Sequence, residues 1–477
     1  MTRRELIASA AGALGGPLLQ TATAQRPRRG RRTNVVMFMT DDHGAWATSV
    51  YGCSQMKTPN LQRLANGGAR FDRAFACTPV CSPSRATYIT GTIPSAHGVQ
   101  DWLRPDDSFG LKTRRWLDGH LTYSEVLANA GYTLGMAGKW HMGDDERAQK
   151  GFTYWATIPG GGGPYRNPEF LKNGAPVKPN EYKTDAVGDL ALEFLDQQKD
   201  RDNPFYLLVP FYAPHTPFDY QPGKYRAPHE GSDFSCFPRT ETHPWQNRGL
   251  RTHHNNPKSM HAYSALITGA DANVGRVLAK LEELGKRDDT LVVFTADQGW
   301  NAGQHGVWGK GNGTWPFNMY DESIRVPMIW NHPGRIRANH TIREMVSSYD
   351  YFPTILDYLG VPTPAGDSRR VGRSYAPLLR GRRPRNWENR LFFEYSFVRG
   401  VRTENLKYVE RTRDWPSELY DLEADPGETK NLIDDPAYAG RLATLRKDLT
   451  QWFEKAGAPP LDDWRSTTKQ VLTEYTR

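Results

Sequence analysis

Four short apolar runs in the chain each end abruptly in polar residues of catalytic type. Residues 34–39 (NVVMFM) lead into Thr40, Asp41, Asp42 and His43, and residues 290–295 (TLVVFT) lead into Asp297, Gln298 and Gly299. Residues 132–136 (YTLGM) precede Lys139, Trp140 and His141, and residues 204–210 (PFYLLVP) precede Pro214, His215, Thr216 and Pro217. Short continuous apolar runs are the pattern of strands buried on both faces, as in a mainly parallel sheet between helices. Tyr263, Leu266, Ile267, Val274, Val277, Leu278, Leu281 and Leu284 recur at helical spacing just before the run at 290, and Gly285 closes that helix. The order is that of an α/β protein. Ligands of open α/β sheets bind beyond the carboxyl ends of the strands, so four runs that deposit polar residues there predict one shared site.

Residues 361–390 are rich in Arg, Gly and Pro, as a boundary is. Beyond them, residues 390–395 (RLFFEY), 398–401 (VRGV), 407–409 (KYV) and 419–422 (LYDL) predict short antiparallel strands. A turn at Asp425, Pro426, Gly427 and Glu428 and a helix over 437–455 follow. The expected fold class is α/β, a large domain with a mainly parallel sheet between helices plus a small C-terminal α+β domain with an antiparallel sheet. The division read from the sequence is an export signal at 1–24, a basic arm at 25–32, a catalytic domain at 33–385 and a C-terminal subdomain at 386–477. The run from Gly160 to Gly163 is expected to be a flexible loop on the large domain.

Length fits that division, since 477 residues exceed the roughly 250 to 300 at which single cores stop growing. A composition 38% hydrophobic, 12% aromatic and 24% charged excludes a disordered or fibrous chain. Part of the net charge of +8 sits in Arg26, Arg28, Arg29, Arg31 and Arg32, which read as a solvated tail. No nucleic-acid-binding motif accompanies that tail, and nucleic acid is not an expected partner. Arg3 and Arg4, the apolar residues 6–19 and then Ala22, Thr23 and Ala24 form the pattern of a twin-arginine export signal with an A-x-A cleavage site. No later run approaches ~20 apolar residues, so stable membrane insertion is not expected, and the mature protein is expected to be periplasmic or secreted. Cys53, Cys77, Cys81 and Cys236 are too few for a disulfide scaffold.

Cys81, Pro83 and Arg85 form Cys-x-Pro-x-Arg within residues 77–91 (CTPVCSPSRATYITG). With the strand-end residues and the closing segment 418–428 (ELYDLEADPGE), this resembles the type I sulfatases, the formylglycine-dependent branch of the alkaline phosphatase superfamily, along nearly the whole chain from Asn34. The resemblance implies an alkaline-phosphatase-like fold and hydrolysis of a sulfate ester. It implies a formylglycine made from Cys81 by a maturation enzyme, and a calcium ion (Ca2+) held by Asp41, Asp42, Asp297, Gln298 and the modified Cys81. It assigns sulfate handling to Arg85, Lys139, His141, His215 and Lys310. Oxygen ligands from three carboxylates and an amide suit calcium, whereas zinc favours nitrogen or sulfur. Pro83 suits the first turn of a helix, which leaves residue 81 at the helix's positive end, where an anion is favoured.

The mechanism implied by the resemblance starts from the hydrated aldehyde at 81. One hydroxyl attacks sulfur while Arg85, Lys139 and Lys310 neutralise the sulfate oxygens. His215 protonates the departing alcohol, and His141 helps remove the proton of the second hydroxyl so that sulfate leaves. Gln298 departs from the family, which often has Asn there; its stem is one carbon longer. His43, His97 and His305 read as structural, although His305 lies close enough in sequence to Lys310 to touch substrate. Trp300, Trp308 and Trp315 flank Lys310 and read as platforms for sugar rings, favouring a sulfated carbohydrate over an aryl sulfate. The expected partners are a sulfated small molecule or glycan and the maturation enzyme. The alternatives are a formylglycine-dependent phosphodiesterase or phosphonate monoester hydrolase, or an inactive carbohydrate-binding relative. The last should have lost one of Cys81, Arg85 or His215, and none is missing. If Cys81 is consumed by chemistry, three cysteines remain and at least one is unpaired.

Overall fold

The computed structural model describes residues 32–110, 113–179, 181–412 and 415–463. The expected export signal, and the basic arm apart from Arg32, lie outside the described residues. Each apolar run forms a strand: β1 (Asn34–Thr40), β2 (Thr133–Gly138), β3 (Phe205–Pro210) and β4 (Thr290–Ala296). They make the centre of a ten-stranded sheet in the order β4, β1, β3, β2, and all three pairings are parallel. Antiparallel pairing begins further out, at Met328–Asn331 on one side and Phe170–Lys172 on the other.

Strand alternation divides the apolar residues between two cores. Val35, Met37 and Met39 of β1 join Leu134, Met136, Leu208 and Val293 on one face, under the helices Tyr123–Asn129, Tyr351–Leu359 and α1 (Cys81–Thr90). Val36 and Phe38 join Leu207, Val209 and Phe294 on the other. That face is covered by α2 (Lys183–Gln197), through Val187, Leu190 and Phe194, and by α3 (Pro257–Glu283), through Val274, Leu278 and Leu281. Burying each such side chain stabilises the fold by about 1.5–3 kcal/mol. Burial on both faces therefore fixes the heights at which β1 to β4 end. Among the described residues no helix is long and apolar enough to cross a membrane.

The C-terminal strands Leu391–Tyr395, Val398–Arg402, Leu406–Arg411 and Glu418–Asp421 form an antiparallel meander. The helix Ala439–Lys455 lays Leu442, Leu445, Leu449 and Phe453 in that core, which Phe75, Cys77, Phe317 and Met345 also enter. Cys53 and Cys236 are paired as a disulfide, whereas Cys77 and Cys81 are free and buried.

The small sheet also braces the loop after β4. Arg402 Nη2 and Lys407 Nζ lie 2.9 and 3.0 Å from the Asp321 carboxylate. The Asp321 N–H donates to Glu428 Oε2 at 2.7 Å. Two residues on, the Ser323 carbonyl accepts the N–H of Gly299 at 3.0 Å, next to Gln298. A Cβ on Gly299 would stand 2.9 Å from the Arg325 carbonyl oxygen, so the approach requires glycine. Removing the Asp321 carboxylate strands the buried Arg402 and leaves Lys407 only Glu428 Oε1, at 2.7 Å. Asp321→Ala is therefore expected to cost about 3–5 kcal/mol, read as a lowered urea midpoint. A loss below about 1 kcal/mol would show that the cations find other partners.

Candidate active site

The ends of β1, β2, β3 and β4 converge as their pattern requires. Asp41 and Asp42 follow β1, Lys139 and His141 follow β2, His215 follows β3 and Asp297 and Gln298 follow β4. The helix α1 starts at Cys81, with Pro83 in its first turn, and all ten of its residues are buried. Lys310 arrives from a small hairpin, Asn301–Ala302 with Trp308–Gly309. It is held beside residue 81 because the Gly311 N–H donates to the Pro79 carbonyl at 3.2 Å.

Cys81 Sγ donates to Asp41 Oδ1 at 3.2 Å and receives Lys310 Nζ at 2.7 Å. Lys139 Nζ is 2.5 Å from Asp41 Oδ2, and Lys310 Nζ is 2.7 Å from Asp42 Oδ1. Arg85 ties two strand ends together, with Nη2 2.7 Å from Asp297 Oδ2 and 3.2 Å from Asp41 Oδ2. His215 Nε2 lies 3.6 Å from Asp42 Oδ2. Ligand atoms of Asp41, Asp42, Cys81 and His215 fall within 4.8 Å of one another. Asp297 adjoins this set through Arg85, while its Oδ1 accepts the N–H groups of Gln298 at 2.9 Å and Asp42 at 3.3 Å.

Every charge here is out of water. Burial raises the Asp41 carboxyl, but Lys139, His215, Arg85 and Lys310 outweigh it and hold the group well below the usual range. Asp42 is pushed up by burial despite Lys310 and His215, and Asp297 is pushed well up by burial and Asp41. Burial opposes the charge of Lys310, yet Asp42, Cys81 and Asp41 keep it firmly protonated. Burial and Asp41 raise the Cys81 thiol, but Lys139, Lys310 and His215 prevail and bring it down to about 6. Position 81 therefore favours a negative charge.

The residues present fit a bound divalent cation. Burial holds two of the three carboxyls, Asp42 and Asp297, above their ordinary range despite the cations beside them. Asp42 Oδ2 and Gln298 Oε1 are buried with no hydrogen-bond partner. The Gln298 Nε2 donates to Asp42 Oδ1 at 2.6 Å and Asp41 Oδ1 at 3.2 Å, and rotation of the amide would turn Oε1 toward the same place. The longer glutamine stem thus still reaches both aspartates.

The remaining histidines separate by their partners. His43 bonds Thr40 Oγ1 and the Ala47 carbonyl, each at 3.1 Å, and His97 bonds Thr87 Oγ1 at 3.2 Å. His305 Nε2 meets Glu322 Oε2 at 2.8 Å and its ring stacks on Tyr320 at 3.8 Å, a structural arrangement. Two readings need correction. Trp300 and Trp308 are 2% and 0% exposed, so these two rings fill a core and do not serve as sugar platforms, while Trp315 is half-buried against Phe317, Phe397 and Trp415. The glycine run at 160–163 is not free: Asp145 Oδ2 accepts the Gly160 N–H at 2.9 Å, and Lys183 Nζ donates to the Gly162 carbonyl at 2.8 Å. Sequence reasoning missed Lys183, Asp145 and Tyr212. One signal was available, because a lysine opening a helix opposes the helix dipole and needs a reason to be there.

Comparison with known proteins places this geometry. The family model "Sulfatase" matches residues 33–361, and "N-sulphoglucosamine sulphohydrolase, C-terminal" matches residues 303–455. An N-acetylglucosamine-6-O-sulfatase of Bacteroides thetaiotaomicron is 28% identical, over 92% of this chain and 88% of its own. An ulvan-active sulfatase of Formosa agariphila is 26% identical, over 93% and 84%. A protein solved in complex with its substrate D-glucosamine-2-N,6-O-disulfate superposes with a TM-score of 0.77 at 25% identity, covering 91% of this chain and 100% of the other. A match over more than half of the chain, on a fold that brings Cys81, Arg85 and Lys310 to the aspartates at the strand ends, makes this chain a member of the sulfatase family, a sulfuric ester hydrolase.

Proposed function

We propose that the protein is an exported, formylglycine-dependent sulfatase that hydrolyses a sulfate ester on a carbohydrate at a calcium site. The observation that carries this is Cys81 at the start of α1, with Asp41 at 3.2 Å and Lys310 at 2.7 Å, in surroundings that favour an anion. The carbohydrate reading rests on the relatives, whose names specify N-acetylglucosamine-6-O-sulfate, ulvan and a glucosamine disulfate. Export is supported by the twin-arginine pattern at Arg3 and Arg4 and by the pairing of Cys53 with Cys236, since disulfides persist in oxidising compartments. The catalytic part is assigned to 33–385 and the C-terminal subdomain to the residues beyond.

Asp41, Asp42, Asp297 and Gln298 would hold the cation. Oxidised Cys81 would supply, as its hydrate, a hydroxyl nucleophile, and calcium would supply charge that activates this hydroxyl and draws in the sulfate. Lys139 and Lys310, each buried, bind the sulfate oxygens, while Arg85 fixes the two carboxylates behind them. The His215 ring is steadied by its Nδ1 contact to the Thr216 carbonyl and by the Tyr212 ring at 4.8 Å. That contact occupies Nδ1–H, so in the imidazolium form Nε2, beside Asp42, is the nitrogen that donates a proton to the leaving oxygen. His141 Nε2 bonds the Leu103 carbonyl at 2.8 Å, so its buried Nδ1 is the proton acceptor. Burial and Lys139 hold that imidazole well below its ordinary value, and it stays neutral.

Three experiments test the reading. Peptide mass spectrometry of active protein should find formylglycine at 81, and unmodified cysteine in a fully active preparation would end the mechanism. Chelation should abolish turnover and lower the melting temperature, with calcium restoring both; full activity in metal-free protein contradicts the ligand set. His215→Ala should slow a sugar or alkyl sulfate by about 100- to 10,000-fold while sparing an activated aryl sulfate, whose phenolate departs without a proton. Equal losses on both substrates would remove the general-acid role.

A further inference from the structure

The lysine that opens α2 has no part in the reaction described, yet its head group lies among the catalytic side chains. Lys183 is 1% exposed. Its Nζ donates to the carbonyls of Gly162 at 2.8 Å and Gly163 at 2.6 Å. It also sits 4.2 Å from the centre of the Tyr212 ring, on which Lys139 Nζ lies at 5.2 Å and against which His215 packs. Burial and the nearby Lys139 lower its pKa to about 7. An ammonium buried against a helix dipole and close to a second cation is unfavourable by itself, so the two carbonyl contacts are what keep Lys183 in place.

The same glycine run is held at its other end by Asp145, which is fully buried and accepts the Gly160 N–H at 2.9 Å. Between the anchors, Gly161 has a φ of +66°, and a Cβ there would stand 2.7 Å from Cγ of the His141 ring. Only glycine allows that approach. The bare backbone therefore lies on the imidazole, whose opposite constraint is the Leu103 carbonyl at Nε2. A carbonyl only accepts, so this pairing fixes the proton on Nε2 and the lone pair on Nδ1. Tilting the ring would break it and let the tautomers exchange.

We propose that Lys183 and Asp145 are positioning residues that clamp Gly160–Gly163 onto His141, holding its imidazole in the orientation that leaves Nδ1 as the proton acceptor. This rests on His141 serving as a base. Lys183→Met keeps the buried stem and removes both donated bonds. In the full-length, formylglycine-bearing protein, it should speed hydrogen exchange of the amides of Ile158 and Gly160 to Gly163 about tenfold or more. It should also lower kcat by about ten- to a hundredfold with KM changed less than about twofold, a loss typical of a misplaced catalytic group. The His141 ring nitrogens, assigned by their loss in His141→Gln, should show mixed tautomers by 15N NMR. Lys183→Arg, which restores donors, should recover part of kcat. If Lys183→Met does not fold, Lys183→Gln, with an amide donor on a shorter stem, should show the same changes at smaller amplitude.

A merely structural lysine would lower the melting temperature without changing the tautomer or the kcat per formylglycine. Unaltered loop exchange and an unaltered His141 tautomer in folded Lys183→Met would overturn the clamp. Wild-type turnover in His141→Gln would instead remove the base, a separate failure visible whether or not the loop loosens.

Discussion

Three carboxylates buried side by side would repel one another by several kcal/mol in a medium of low dielectric, and the structure answers this with three buried cations. Arg85 is the keystone of that arrangement, because its guanidinium spans Asp41 at the end of β1 and Asp297 at the end of β4. Its backbone belongs to α1, so the ionic contacts that compensate the aspartates also dictate where that helix begins and where residue 81 must sit. Lys139 and Lys310 complete the set from two further directions. The strand order, the start of α1 and the path of the Lys310 hairpin are thus different solutions to one electrostatic requirement.

Much of this was legible in the sequence because the signals are local. An apolar run that stops at Asp41 and Asp42 states both the strand and the place where a polar site is tolerated, and the same holds at Lys139 and Asp297. The C-terminal meander could be read from its short strands and turn for a similar reason. What failed was environment. Trp300 and Trp308 carry the same chemistry in a core as on a sugar-binding surface, and only their packing against Tyr263 decides between them. The glycine run could not be told from a flexible linker, since its anchors, Asp145 and Lys183, act through tertiary contacts that leave no periodic trace.

The small antiparallel sheet has more than a covering role. Asp321 gathers Arg402 and Lys407 from that sheet, and Ser323, two residues on, receives the backbone N–H of Gly299. A residue that contacts the aspartates, Gln298, is therefore one peptide away from a brace supplied by the C-terminal strands. The position of its amide depends on residues more than a hundred places later in the chain.

Cys81 is 2% exposed and opens a helix with no exposed residue, under the hairpin that carries Lys310. The folded protein therefore gives another enzyme no direct access to this thiol. The proposed oxidation of this thiol would accordingly have to precede closure of α1. If the protein then leaves the cytoplasm already folded, as its twin-arginine pattern would require, the time available ends before transport begins. Folding speed and oxidation speed would then compete for each nascent molecule, and a chain that folds too early would be a stable, exported and permanently inert protein.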